Sequence, residues 1–145
     1  MTGKQVVKFV RPFKCTCRCC LCFCPCCLQL IEVQAGGETI GYVKQLSGCK
    51  PTFHILNANV EKILELVGPV CACSCCKDIP FEVKSNDGTK IGDLIKQFGG
   101  VLRENYTDAD NFSISFPIDL DVKAKITLLA AVFLVVRQIL LSYNS

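Results

Sequence analysis

This chain has no tryptophan, and methionine and histidine occur once each in 145 residues. Charge is also scarce, at 20% Asp, Glu, Lys and Arg with a net charge of +3. The basic residues are scattered and form no stripe, which argues against a nucleic-acid partner. A mild preference for an anionic membrane surface is the most this balance supports. The first residues, MTGKQVVKFVRPFK, have no apolar stretch and no small-residue cleavage site of the secretory kind. The chain is therefore expected to start in the cytosol, where thiols stay reduced. No paired carboxylates, no nucleophile with an adjacent base and no phosphate loop can be picked out, so no enzyme is expected.

Cysteine is what the chain has in excess. There are 13, an odd number, and eight fall within CTCRCCLCFCPCC, residues 15–27. A reducing compartment and an odd count both weigh against a disulfide framework. The pattern C-x-C-x-C-C occurs at Cys15–Cys20 and again at Cys71–Cys76. Zinc knuckles can be drawn as Cys17/Cys20, Cys24/Cys27 and Cys73/Cys76, but so dense a run supplies such pairs by chance. A redox or nucleophilic cysteine has less support, because His54 sits inside a strand pattern without a C-x-x-C in a βαβ context. The third reading is S-acylation: Leu21, Phe23 and Leu28 with Lys14 and Arg18 make a patch suited to an anionic leaflet. Stable attachment needs two membrane signals, which several acylated thiols or a thiol plus a hydrophobic helix provide. The second cluster, 71–76, reads as small packing residues after the Gly68-Pro69 turn.

Between the clusters the chain reads as strand. QLIEVQ (29–34), TIGYVKQ (39–45), TFHILN (52–57), KILELV (62–67), FEVKS (81–85) and NFSISF (111–116) are short and rich in β-branched and aromatic residues. Gly36-Gly37, Asn57-Ala58-Asn59, Gly68-Pro69, Asn86-Asp87-Gly88 and Gly99-Gly100 supply turn chemistry between runs, which predicts an antiparallel meander. The fold class expected is mainly β in a single domain over 1–145, with strands within 5–117. A C-terminal helix is expected over about 122–141. It is apolar on all sides from Leu128 to Val136, including Leu129, Val132 and Phe133, so it must be buried in protein or in lipid. Eleven apolar residues, Ile126–Val136, precede Arg137-Gln138, whereas a span needs about 20. Val122–Leu141 reaches that length with Lys123, Lys125 and Arg137 placed at the interfaces. The short apolar count favours a helix wrapped by strands.

RPFKCTCRCCLCFCPCCLQLIEVQ, IGYVKQ, GPVCACSCC, FEVKS and above all YTDADNFSISFPIDLDVKAK resemble the C-terminal half of phospholipid scramblases, in the family's order from about Val6 to Leu134. The resemblance implies a tubby-like antiparallel barrel of twelve strands around a hydrophobic C-terminal helix, here partial, with the N-terminal strands missing. It implies calcium-activated, bidirectional movement of phospholipids between leaflets, at the cytoplasmic face of the plasma membrane. The cluster that carries palmitate in the family corresponds to Cys22, Cys24, Cys26 and Cys27 around Pro25, with Cys20 a further position. The acidic segment before the helix is the family's proposed Ca²⁺ site and corresponds to Asp108 through Asp119; Asp108, Asp110, Asp119 and Asp121 are its carboxylates here.

As a twelve-residue calcium loop, Asp108, Asp110 and Asp119 fall at positions 1, 3 and 12. Ser113 replaces the turn glycine and Asp replaces the bidentate Glu, so binding no tighter than ~10⁻⁴ to 10⁻³ M is expected. The competing reading makes NFSISF an ordinary strand with Phe112, Ile114 and Phe116 inward. The two conflict, because residues in a strand cannot also curl around an ion. Some relatives carry a basic nuclear-import segment near residues 91–100; IGDLIKQFGG has Asp93 and only Lys96, so that role is not carried over. An incomplete barrel would expose strand edges and one flank of the helix, which points to self-association, pairing with a full-length relative, or cover by lipid. An anchored interaction module without scrambling is the alternative function.

Overall fold

In the computed structural model the described residues are 6–12, 28–46, 50–69, 78–97 and 111–143, with side chains of the C-terminal helix described through Val136. Eight strands follow in order: β1 (Val7–Val10), β2 (Leu30–Ala35), β3 (Glu38–Gln45), β4 (Thr52–Asn57), β5 (Lys62–Val67), β6 (Ile79–Ser85), β7 (Lys90–Gln97) and β8 (Asn111–Ser115). Among the described residues one helix, α1 (Val122–Tyr143), follows the strands. Each strand pairs antiparallel with the next, and the sheet order is the chain order. The result is a curled half-barrel with β1 and β8 at its two edges.

The turns explain the register. Gly36 and Gly37 link β2 to β3 with φ of 61° and 88°, both left-handed, as a two-residue hairpin turn of matching twist requires. Between β4 and β5 the chain needs one left-handed residue, and Val60 fills it at φ 67°. A β-branched side chain disfavours that conformation. Asn57 holds it: its Oδ1 accepts from the amides of Asn59 and Glu61, each at 2.9 Å, and its Nδ2 donates to Glu61 at 2.8 Å.

Alternation sorts the strands into two faces. Ile31, Val33, Val43, Phe53, Ile55, Leu64, Leu66, Phe81, Val83 and Leu94 point to the concave side and are essentially inaccessible. Across the same ladders Glu32, Lys44, His54, Glu65, Glu82 and Lys84 mark the convex side. The helix lies in the concave face against β2, β3 and β4. Ala124, Thr127, Leu128, Ala131, Leu134 and Val135 form its inward stripe. Small residues let the backbones approach, and Gly41 does the same from β3. A Cβ there would lie 2.6 Å from the Leu56 carbonyl oxygen and 2.7 Å from Thr127 Oγ1.

Two strands are absent from the sequence reading. β1 has only four residues, and β7 is interrupted by Gly92 and Asp93, which break its alternation. Gly92 is required there, since a Cβ would meet the Ser115 carbonyl oxygen of β8 at 2.1 Å. The helix runs two residues beyond the expected end. It is also not fully wrapped: it packs mainly on β2, β3 and β4, and large apolar side chains on its other flank stay exposed.

Candidate lipid-facing surface

The helix flank away from β2, β3 and β4 is apolar. Val122, Leu129 and Phe133 are 64%, 49% and 57% exposed, and Ile126, Val132 and Val136 are half-buried beside them. Positions 122, 126, 129, 133 and 136 step by four and three, which draws one stripe along a helix. Ile118, in the turn before α1, is a further apolar side chain left 96% exposed. Leu128 is buried with the inward stripe. The five helix residues singled out in the sequence therefore divide: Leu128 is core, Leu129 and Phe133 are surface, and Val132 and Val136 lie between. Among the described residues no helix is long and apolar enough to cross a membrane.

The turn into α1 is fixed by one cation. Lys125 Nζ donates to the Ile118 carbonyl at 2.8 Å and stands 5.4 Å from the centre of the Phe116 ring. The Asp121 carbonyl accepts the first helical bond from the Lys125 amide at 3.0 Å. Asp119 and Asp121 are both exposed in this segment. Asn111–Ser115 runs as β8, in register with Asp93–Gln97, with Phe112, Ile114 and Phe116 packed on the core. The strand reading of NFSISF is the one the chain adopts, so positions 4–8 of the twelve-residue loop are held in a ladder instead of around an ion. Asp108 and Asp110 lie outside the described residues, as do Cys20, Cys22, Cys24, Cys26 and Cys27. Among the described residues no three His, Cys, Asp or Glu side chains gather as a metal site would need.

A family model described as Scramblase aligns with residues 1–138. The chain belongs to the scramblase family. Among its scramblase relatives, human phospholipid scramblase 1 is 48% identical over 136 residues, covering 92% of this chain and 42% of its own length. Bovine phospholipid scramblase 2 is 48% identical over 136 residues, covering 92% of this chain and 45% of its own. Human phospholipid scramblase family member 5 is 43% identical over 137 residues, covering 92% and 49%. The chain thus spans less than half the length of the curated relatives it matches. No solved structure gives a significant match.

For a scramblase domain, two surface features went unread in the sequence. One is Phe9, whose ring meets Phe133; a four-residue strand gives too little periodicity to assign. The other is the division of the helix into two faces. Its composition is apolar all round, so only the partner strands reveal which residues remain outside.

Proposed function

We propose that this protein is a membrane-attached scramblase that lowers the barrier for phospholipids to move between leaflets. The observation that supports this most is the stripe of Val122, Leu129 and Phe133, which leaves large apolar side chains in water unless lipid or protein covers them. No bond is made or broken in such movement. The protein need only give a polar head group a route through hydrocarbon, and an apolar surface at the bilayer is where that route would begin. Attachment is proposed to come from thioester-linked palmitate on Cys20, Cys22, Cys24, Cys26 and Cys27, which places the protein at the cytoplasmic face of the plasma membrane. Calcium dependence is proposed to reside in Asp108, Asp110, Asp119 and Asp121. Because β8 separates these into two pairs along the chain, each pair is expected to bind weakly on its own.

Purified protein in liposomes tests the proposal. Calcium-stimulated exchange of a labelled phospholipid is expected, together with its loss in a Leu129→Asp, Phe133→Asp variant. Exchange that survives replacement of all four aspartates by Asn would sink the calcium part. A folded protein with no exchange at any calcium concentration favours the anchored interaction module.

A second reading is favoured by the open sheet. Among the described residues β1 and β8 each pair on one side only, and unpaired edges seek strands. The stripe would then be covered by a second copy or by a longer relative. Sedimentation that stays monomeric across concentration would exclude self-association.

A further inference from the structure

Among the described residues the two open edges of the sheet both border the helix. Phe9 of β1 meets Phe133 on the outer flank of α1, and Phe116, directly after β8, meets Lys125 near the start of α1. Leu129 and Phe133 remain 49% and 57% exposed on that flank. The two edges also match in chemistry. β1 sets Val7 and Phe9 against the core and Lys8 in water, while β8 sets Phe112 and Ile114 against the core and Ser113 in water. β8 has none of the charge, proline or bulge that commonly blunts an edge.

We propose that a second copy of this chain closes the sheet, β1 of each copy pairing with β8 of the other about a dyad along the barrel axis. The inference rests on the second reading above, in which a second copy covers the stripe. Strand parity carries it. In a meander of eight strands β1 and β8 run in opposite directions. A dyad along the axis leaves strand directions unchanged, so the partner's β8 meets β1 antiparallel and continues the meander. Like faces must also coincide. One register then pairs all four residues of β1 within β8: Val7 opposite the partner's Ile114, Lys8 opposite the partner's Ser113, Phe9 opposite the partner's Phe112 and Val10 opposite the partner's Asn111. No like charges face each other in it. A β8–β8 pair about a perpendicular dyad would leave β1 and the stripe open, whereas this arrangement covers every edge and sets the two apolar flanks face to face. Eight strands from each copy make sixteen. A barrel of that size has a lumen, which two helices, each about 10–12 Å wide with side chains, fill. The stripe cannot face a second copy and a bilayer at once, so this dimer is the form the chain takes away from lipid.

Sedimentation equilibrium of the full chain in reducing, lipid-free buffer tests the pairing. A monomer–dimer equilibrium without larger species is expected, because the dyad closes the sheet and leaves no edge to extend. Ser113→Lys sets a like-charge pair with Lys8 in both seams and should weaken the dimer roughly twofold to thirtyfold. Ser113→Glu sets opposite charges there and should tighten it by a similar factor. Residue 113 is exposed in the single copy, so both variants should keep the wild-type circular dichroism. Amide exchange of the wild type gives a readout independent of either variant. Val7–Val10 and Asn111–Ser115 are expected to slow together as concentration rises through the dimer range. Dimer constants that ignore both substitutions, or that weaken alike with Lys and Glu, would overturn the β1–β8 seam while leaving self-association in place. So would protection that appears only elsewhere, or trimers and longer chains, which an open ladder of copies produces. A chain that stays monomeric at every concentration defeats the second reading itself, and the seam with it.

Discussion

Phe9 of β1 and Phe133 of α1 meet with ring centroids 5.3 Å apart and planes inclined at 53°. This pair ties the first strand of the sheet to the outer flank of the last helix, although 124 positions separate them in sequence. Phe133 remains more than half exposed on its other side. Aromatic pairs of this geometry contribute ~0.5–1.5 kcal/mol beyond area burial. Phe9→Ala is therefore expected to lower stability by roughly 1–3 kcal/mol. Amide hydrogen exchange should accelerate first in Val7–Val10, and an unchanged exchange rate there would show that β1 does not depend on the contact.

Gly41 sets how closely α1 approaches β3. The contact atoms a new Cβ would meet are a backbone carbonyl and the oxygen of a nearly inaccessible threonine, so neither can swing away freely. Thr127 Oγ1 is itself occupied, donating to the Lys123 carbonyl at 2.8 Å. Gly41→Ala should cost about 1–3 kcal/mol or more through forced separation of helix and sheet. Chemical denaturation measures this, and a stability within error of wild type would mean that the helix shifts without cost.

His54 gives the domain a pH dependence of known sign. Burial holds its imidazole below the ordinary value of 6.5, against the opposing pull of Glu65, whose carboxylate lies 3.7 Å away. The folded state therefore binds a proton less readily than the unfolded state. The contribution of the neutral ring is complete above about pH 6.5 and is lost as pH falls from there through the lowered folded value. Thermal midpoints of wild type should drop more steeply between pH 7 and 5 than those of His54→Gln. Parallel pH profiles for the two proteins would reject this.

Lys125 acts as a strut for the turn that delivers the chain from β8 to α1. Its ammonium bridges the Ile118 carbonyl and the Phe116 ring, and Met in its place keeps the length without the charge. Lys125→Met is expected to cost about 1–2 kcal/mol. Faster exchange or proteolysis at 117–120 should accompany the loss; equal protection would show that the turn is fixed by backbone bonds alone.

Much of the sheet was legible in the sequence because its strands alternate cleanly. TFHILN and KILELV place Phe53, Ile55, Leu64 and Leu66 inward by period alone, and Asn57-Ala58-Asn59 marks the turn between them, as Gly36-Gly37 and Asn86-Asp87-Gly88 mark those of β2–β3 and β6–β7. β7 was not legible: Gly92 and Asp93 disrupt the alternation, and Gly92 is explained only by the carbonyl of Ser115, 23 positions later on β8. The helix was legible as an element but not as a surface. Leu128 and Leu129 are adjacent and chemically identical, and only the position of β3 decides that one is core and the other exposed. The aspartates illustrate a different limit. Loop spacing and strand alternation both fit residues 108–119, and the ladder to β7 resolved the choice for 111–115.

The order of the meander bears on how the chain is made. Every ladder joins a strand to the one synthesised just before it, so the sheet can grow as each segment leaves the ribosome. Its concave lining of Phe53, Phe81 and Leu94 must then wait for α1, which follows every described strand. Until α1 docks, that lining is a trough of oily side chains open to other nascent chains. A pause in translation between β8 and α1 is expected to lengthen this exposure and to raise the demand for chaperones, whereas the same pause after α1 should not.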